Sequence, residues 1–267
     1  MFRIVQSLSF AGGEKNIDLI RTSDDCILLL DGSTPLVESN YDASQFVKDF
    51  ADAFFERIKN RERAPTAVNL ALADVCELFK KAVANDNIDM YPSACLTVAY
   101  ISEGMLHIIN IGDTVALVIM KDGTVKTVTC NDVSRLDRAV ISKAKEIRES
   151  SGMDMCDIMK RPEIKQMLIN NRKMMNKSNG YKILAFGMPD VDENDIHAFN
   201  TNEVERIVMC SDGFDGYLDM LAANDANLDQ IYQLLRGKEN ADAGLNKTPR
   251  FKISDDASAI MFEIVPN

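Results

Sequence analysis

The sequence is poor in the residues that build zinc sites and nucleophilic triads. It has two histidines, His107 and His197, and six cysteines, of which the nearest two, Cys76 and Cys95, are 95 − 76 = 19 positions apart. Zinc sites need ligands at spacings such as C-x2-4-C, which this chain lacks. We therefore expect no zinc site, and we interpret the cysteines as small buried hydrophobic residues. An isolated histidine without a local motif is usually structural, so neither histidine is predicted to be catalytic.

The sequence also lacks excess positive charge and long hydrophobic runs. Its 30 Lys and Arg residues against 41 Asp and Glu residues give a net charge of −11. A nucleic-acid partner is therefore not expected, because such proteins need a basic surface. The apolar run at 26–30 is far shorter than the roughly 18–20 residues of a membrane span. Residues 1–10 alternate like a strand and do not resemble a signal peptide, so we expect a cytoplasmic protein without a membrane partner.

No linker, repeat or low-complexity segment divides the chain, which predicts one domain over residues 1–267. Strand patterns and hairpin turns alternate with amphipathic helices, which favours an α+β fold: a four-layer αββα sandwich of two antiparallel sheets flanked by helix pairs. Strands are predicted within 1–37 and at 95–101, 105–111, 115–120, 125–129, 182–186, 206–210 and 259–265, and helices after Asp42, from Pro65 to about Ala84, within 132–176 and at 228–235.

The helical region at 132–176 and the residues just after it are rich in basic side chains. We interpret them as a solvated helical face, in preference to a binding patch. The residues are Lys143, Lys145, Arg148, Lys160, Arg161, Lys165, Arg172, Lys173 and Lys177.

Four aspartates lie at the ends of strongly apolar strands: Asp31, Asp113, Asp212 and Asp255. An Asp-Gly pair by itself is usually only a turn. If the strands are neighbours, however, these carboxylates converge, and several unpaired carboxylates at the edge of a core are costly. A divalent cation removes that cost, and hard oxygen ligands select Mg²⁺ or Mn²⁺. The four aspartates together therefore predict a metal site that activates water for attack on phosphorus.

An ordered series of short motifs resembles those of the metal-dependent protein phosphatases, the PPM or type 2C family, in a bacterial style. The resemblance covers nearly the whole chain. In order, NID at 16–18 resembles the family's N-E-D, LDG at 30–32 its A-D-G, IGDTVA at 111–116 its V-G-D-S-R-A, CSDGF at 210–214 its C-S-D-G-L, and SDDAS at 254–258 its S-D-D-A-T.

The resemblance implies a two-ion Mn²⁺ or Mg²⁺ centre that hydrolyses phosphoserine or phosphothreonine by direct attack of a bridging water or hydroxide, without a phosphoenzyme. By position, Asp31 would bridge both ions and the Gly32 carbonyl would bind one. Asp212 and Asp255 would hold the other ion, and Asp18 would orient the water. Asp113 matches a residue that helps bind a third ion in some members. The implied partners are a phosphoprotein substrate and a cognate Ser/Thr kinase or its targets.

The chain departs from the family pattern at four positions. Ile17 replaces the Glu beside Asp18, Ser33 stands where some members have a proton-donating His, and Gly13 stands where a phosphate-binding Arg is found. Gly216 replaces an acidic residue, with Asp215 shifted by one position. Lys15, Arg3 and Arg21 are the candidates to replace the missing Arg. Losing a charge-assisted phosphate contact of about 1.5–3 kcal/mol weakens activity without abolishing it.

Three hypotheses follow. The first is a divergent phosphoprotein phosphatase with a helical flap-like insertion at about 132–180 that selects substrates. The second is a pseudophosphatase, in which the same fold acts as a binding or regulatory module. The third is a metal-dependent hydrolase of small phosphorylated metabolites. All three would bind Mn²⁺, so turnover is needed to separate them.

Overall fold

Two antiparallel five-stranded sheets form the centre of the protein. The computed structural model describes residues 1–33, 40–82 and 91–266. Sheet I has the order β1 (Phe2–Phe10), β10 (Ala257–Ile264), β9 (Val204–Cys210), β6 (Val115–Met120) and β7 (Val125–Val128). Sheet II has the order β2 (Leu19–Thr22), β3 (Cys26–Ser33), β4 (Ser93–Ser102), β5 (Met105–Ile111) and β8 (Ile196–Asn200).

Helices cover the outer face of each sheet. On sheet II lie α1 (Ala43–Lys59) and α2 (Ala64–Ala82); on sheet I lie α6 (Leu218–Ala222) and α7 (Leu228–Asn240), together with the 3-10 helix Asp212–Tyr217. A third group, with its own hydrophobic cluster, consists of α3 (Asp132–Ser151), α4 (Met155–Met159) and α5 (Pro162–Arg172). The layers confirm the predicted αββα sandwich.

The central strands are apolar throughout because both of their faces are buried. In β3, Leu28 and Leu30 pack against the α1–α2 layer, whereas Ile27 and Leu29 pack between the two sheets. Successive side chains of a strand point to opposite faces, so a strand between two hydrophobic layers needs an unbroken apolar run. The run at 26–30 therefore fixes β3 in the interior and leaves Asp31 where the buried segment ends.

Helix α1 begins at the cap that the sequence predicts. The Asp42 side chain accepts a hydrogen bond from the Gln45 backbone N–H at 2.9 Å. Such a contact satisfies one of the unpaired donors of the first helical turn. Phe46, Phe50 and Phe54 then form a fully buried stripe against sheet II.

The structure differs from the predicted elements in two places. Residues 182–186 form no strand; Leu184 makes only an isolated bridge to Ala94. Strand β8, which contains His197, was not predicted. It is an edge strand with exposed or half-buried residues, so its sequence shows no clear apolar alternation. Predicted elements at 34–37 and at Ala84 lie outside the described residues.

The prediction that the cysteines are buried is confirmed for three of the six. Cys26, Cys95 and Cys210 are buried, whereas the other three are partly exposed. His107 lies on β5, with its ring 4.9 Å from that of Tyr100. Within 1–33, 40–82 and 91–266, no helix has both the length and the apolar character required to cross a membrane.

Replacing Leu29 with Ala should destabilise the protein strongly, because the side chain is fully buried between the sheets. We expect the free energy of unfolding to fall by about 2–5 kcal/mol. Leu234→Ala on α7 is the control, since Leu234 is 50% exposed, and it should change stability by less than about 0.5 kcal/mol. Urea denaturation measures both, and equal effects would contradict this account of the core.

Candidate metal centre

A cleft of about 290 Å³ opens at the edge of the sandwich where β3 and β9 end. Four predicted metal ligands line the cleft. Asp31 lies near the end of β3, Asp113 lies in the β5–β6 turn, Asp212 lies two residues after the end of β9, and Asp255 lies just before β10. Gly32 also lines it. The topology therefore brings these residues together, as the sequence predicts. We call this the carboxylate cleft.

The carboxylates of the cleft repel one another. Burial raises the pKa of Asp31 well above its usual value, and repulsion from Asp212, Asp18, Asp113 and Asp255 adds to the effect. Asp212 as a residue is exposed, yet withdrawal of its carboxyl group from bulk water in the cleft, followed by repulsion from Asp255, raises its pKa too. The Asp212 backbone N–H lies 3.4 Å from Asp31 Oδ2, so sheets I and II meet here.

Asp18 lies beside the cleft, just before β2, and is buried. The Ser211 hydroxyl donates a hydrogen bond to Asp18 Oδ2 at 2.7 Å. Among the described residues, Asp18 Oδ1 is buried without a hydrogen-bond partner. Burial raises the pKa of Asp18 to about 7, against the hydrogen bonds from Ser211 and Ser258 and with repulsion from Asp256 and Asp255. A buried acceptor of this kind is suited to hold a water molecule.

The donor set fits a hard divalent cation. Its donors are carboxylate oxygens, and buried carboxylates that repel one another are stabilised by a cation of higher charge. As the side chains stand, no three Asp, Glu, His or Cys residues of the described ranges are spaced to hold a metal ion. The chemistry of the cleft therefore supports a metal centre, while the individual ligands remain a prediction.

At two positions of the motifs, neighbouring atoms lie too close to leave room for any side chain, so glycine is required. Gly112 has φ +85°, and a Cβ there would lie 2.4 Å from Cys95 Sγ, so the turn that presents Asp113 requires glycine. The Cys95 thiol in turn donates to Asp113 Oδ1 at 3.1 Å. At Gly32, a Cβ would lie 2.7 Å from the carbonyl oxygen of Ile17.

Asp256 has a structural role, although it stands beside Asp255. Its two carboxylate oxygens accept hydrogen bonds from the backbone N–H groups of Gly12 and Ile17, each at 2.8 Å. Asp256 therefore fixes the β1–β2 loop that carries Asp18. Ile17, where the family pattern has Glu, contributes its backbone to this contact.

Two cations contact Asp255. The Lys252 ammonium lies 2.7 Å from Asp255 Oδ1, and Arg236 Nη2 donates to the Asp255 carbonyl oxygen at 2.7 Å. Arg236 also pairs with Glu239 on its own helix at 2.5 Å. Arg236 thus holds the backbone of Asp255, whereas Lys252 faces its carboxylate.

Two further acidic residues lie near the cleft: Asp137, which sequence reasoning missed, and Asp215, which it noted only as an acidic residue displaced by one position. Asp137 on α3 lines the cleft, and burial, then repulsion from Asp113 and Asp255, raises its pKa to about 6. Asp215 has a pKa raised to about 6 by burial and by Asp113. Asp137 could have been found from helical spacing, because it shares a face with buried Val140, three residues later.

Arg172 corrects the interpretation of the basic helical region as a solvated face. It is 8% exposed, lies at the end of α5 and lines the cleft. It donates to Ser33 Oγ at 3.3 Å and to the Tyr91 carbonyl oxygen at 2.5 Å. Arg172 therefore attaches the α3–α5 group to the residue that follows Gly32.

Comparison with known proteins agrees with this geometry. A model of the family described as "Protein phosphatase 2C" matches residues 20–248. The chain belongs to the protein phosphatase 2C family. No curated protein sequence matches it. The matched range contains the motifs at 30–32, 111–116 and 210–214.

Solved structures of bacterial protein phosphatase 2C relatives share the fold. The serine/threonine phosphatase PstP/Ppp of Mycobacterium tuberculosis is 12% identical, with a TM-score of 0.56 and coverage of 99% of both chains. Stp1 of Staphylococcus aureus is 15% identical, with a TM-score of 0.58 and coverage of 99% of this chain and 96% of that one. A PstP catalytic domain with two manganese ions is 14% identical, with a TM-score of 0.57 and coverage of 99% of both chains.

The metal-free protein should lose stability as the pH rises. A carboxyl group whose pKa is raised in the folded state stabilises that state at low pH, and this stabilisation is lost as pH rises through the folded pKa. For Asp18 that pKa is about 7. In EDTA, the melting temperature should therefore fall as the pH rises from about 4 to about 7, between the ordinary pKa of 3.8 and the folded value. Asp18→Asn should reduce the fall, and Asp225→Asn at an exposed position should not. A melting temperature that rises over this range would contradict the burial of these charges.

Proposed function

We propose that this protein is a Mn²⁺- or Mg²⁺-dependent phosphatase that hydrolyses phosphoserine or phosphothreonine in proteins. The observation that carries the proposal is the convergence of Asp31, Asp113, Asp212 and Asp255 on one cleft in a protein phosphatase 2C chain. The substrate would be a phosphoprotein, the product of a Ser/Thr kinase. The two-manganese PstP structure supports the choice of metal by analogy of fold.

In this proposal the cleft residues hold two ions. Asp31 would hold both ions. The Gly32 carbonyl would help to hold one of them, and Asp212 and Asp255 would hold the other. Asp113, with Asp137 beside it in the cleft, would hold a third ion. When bound, such ions counter the charge of the phosphoryl oxygens and lower the pKa of a water molecule.

The chain itself would orient the reactants. Asp18 Oδ1, which is buried and has no partner among the described residues, would accept a hydrogen bond from the attacking water. Ser211 holds the other oxygen of Asp18 and so fixes the direction in which Oδ1 points. Attack of water on phosphorus would break the bond to the serine or threonine oxygen directly, without a covalent intermediate on the protein.

The second candidate function is a binding or regulatory module. It is favoured by the ion pair between Lys252 and Asp255 and by Ile17 at the position of an acidic residue. The lack of three acidic side chains already spaced as metal ligands in the described residues points the same way. Turnover distinguishes the two functions.

The decisive experiment compares hydrolysis of an aryl phosphate and a phosphothreonine peptide in Mn²⁺ and in EDTA. We expect activity only with Mn²⁺, and Asp212→Ala should lower it by more than the roughly 10–100-fold loss typical of residues that merely support a metal ligand. Asp219→Ala is the matched control, because Asp219 is an exposed aspartate on α6.

The outcomes separate the candidates. Activity that needs Mn²⁺ and is lost in Asp212→Ala supports the phosphatase. No turnover, together with a Mn²⁺-induced rise in melting temperature, supports the binding module. Turnover of small phosphorylated metabolites but not of the phosphopeptide would contradict a phosphoprotein substrate.

The net charge of −11 should make the phosphatase prefer basic sequences around the phosphorylated residue. Acidic peptides are repelled, and basic ones are attracted, by a negative surface. Peptides with flanking Lys or Arg should be hydrolysed several-fold faster at low salt. The difference should vanish near 1 M salt, where the Debye length is about 3 Å. Rates that do not depend on flanking charge at low salt would contradict the prediction.

A further inference from the structure

The position at which the family carries its phosphate-binding arginine is open in this protein. Gly13 occupies it, and a Cβ at Gly13 would have no neighbour within 4 Å. The glycine lines a cavity of about 450 Å³ beside the carboxylate cleft, together with Ile17 and Ser254. A side chain at position 13 would therefore begin in open space, in a cavity that Lys15 and Lys252 also line.

Each cation that the sequence suggests as a replacement pairs with an acidic residue, and Lys15 with its partner Asp42 lines the cavity at Gly13. None of the three lines the carboxylate cleft. The pairs are Lys15 with Asp42 at 3.3 Å, Arg21 with Asp52 at 2.5 Å, and Arg3 with Glu263.

Lys252 lies where the missing cation would be needed. It lines both the cavity at Gly13 and the carboxylate cleft. Its ammonium is 2.7 Å from Asp255 Oδ1, and about half of its side chain is exposed to solvent. A lysine ammonium is positively charged at neutral pH, so Lys252 presents a positive charge in the cleft.

The backbone around Lys252 is firmly held. Arg250 donates from Nε and Nη2 to the Ile253 carbonyl oxygen at 2.9 and 2.7 Å. Phe251 packs against the hydrophobic cluster of the α3–α5 group. These contacts hold the backbone on either side of Lys252, from which its side chain extends.

The other cations near the cleft have structural hydrogen bonds. Arg172 donates to Ser33 and Tyr91, and Arg236 donates to the carbonyl oxygen of Asp255. An ammonium has three donors, so Lys252 can keep one on Asp255 and direct the others to a phosphoryl oxygen. Among the described residues that line the cleft, Lys252 is the cation whose charged group meets a carboxylate there.

We propose that Lys252 binds the substrate phosphate, in the role that the family's arginine has at the position of Gly13. The inference rests on the proposed phosphatase function, because it names the group that grips the substrate in the same site. It also assigns to this chain a substrate-binding residue from the segment between α7 and β10, which lines the same cavity as Gly13.

The test uses the full chain loaded with Mn²⁺ and inorganic phosphate as the probe. Lys252→Met, which keeps the length of the side chain, should weaken phosphate binding in calorimetry by about 10- to 100-fold, as expected for a lost charge-assisted hydrogen bond. It should raise KM for an aryl phosphate more than it lowers kcat. Lys252→Arg should keep phosphate affinity within a few-fold of wild type. Lys247→Met, at an exposed position of the same segment, is the control.

A double variant tests the exchange of positions directly. Gly13→Arg placed in the Lys252→Met background should recover phosphate affinity, because the space at Gly13 is open. Calorimetric titration with Mn²⁺ and a thermal melt establish that each variant is folded and binds metal. If Lys252→Met does not fold, the same comparison is made with Lys252→Gln.

Two results would overturn the inference. One is phosphate affinity that is unchanged in Lys252→Met, with or without tighter Mn²⁺ binding; Lys252 would then only neutralise Asp255. The other is wild-type protein that binds Mn²⁺ but not phosphate. Phosphate binding that depends on Lys252, in a protein that hydrolyses no phosphate ester, would instead refute the proposed function and leave the inference standing.

Discussion

The mutual repulsion of carboxylates where the two sheets meet is the constraint on which the site depends. Asp31 lies near the end of a strand of sheet II and Asp212 follows a strand of sheet I, with the Asp212 backbone N–H 3.4 Å from Asp31 Oδ2. The fold thereby holds their carboxylates in one cleft, where Asp212 and its acidic neighbours repel Asp31. Such an arrangement costs free energy and must be enforced by the rest of the fold. Strands β3 and β9 enforce it, because both are buried on each face and cannot slide without exposing apolar side chains.

Two acidic residues beside the cleft, Asp256 and Asp18, differ in whether their carboxylate oxygens have hydrogen-bond partners. Asp256 accepts two backbone N–H groups, whereas Asp18 retains a buried oxygen without a partner in the described residues. The difference separates a carboxylate that supports the structure from one that is available for a ligand. Asp255 and Asp256 are adjacent in the sequence, yet only the first lines the cleft.

Sequence patterns predicted those elements whose limits are set by their own local sequence. Strands β5 and β6 have the predicted bounds because their apolar runs end at the turns that follow them. Four aspartates of the motifs follow or precede such strands, and all four line the cleft. Edge strand β8 was missed because one of its faces is in water, which weakens the apolar pattern. Arg172 and Lys252 could not be assigned, since each reaches the cleft from a distant segment through tertiary packing, whereas the helical spacing to Val140 indicates an inward face for Asp137.

The charge balance of the cleft bears on the choice between an enzyme and a binding module. Five described aspartates line it, whereas Arg172 is directed to Ser33 and Tyr91 and Lys252 offsets one negative charge. Negative charge therefore remains, so either function would leave a site that favours a divalent cation. Binding of metal cannot separate the two functions. Turnover separates them, and phosphate affinity tests a narrower point, because a phosphate dianion entering an acidic cleft needs a positive group of the protein as well as the ions. Among the cleft residues that the structure describes, Lys252 is the cation whose charged group meets a carboxylate there, so its contact with phosphate tests whether this cleft can hold the substrate.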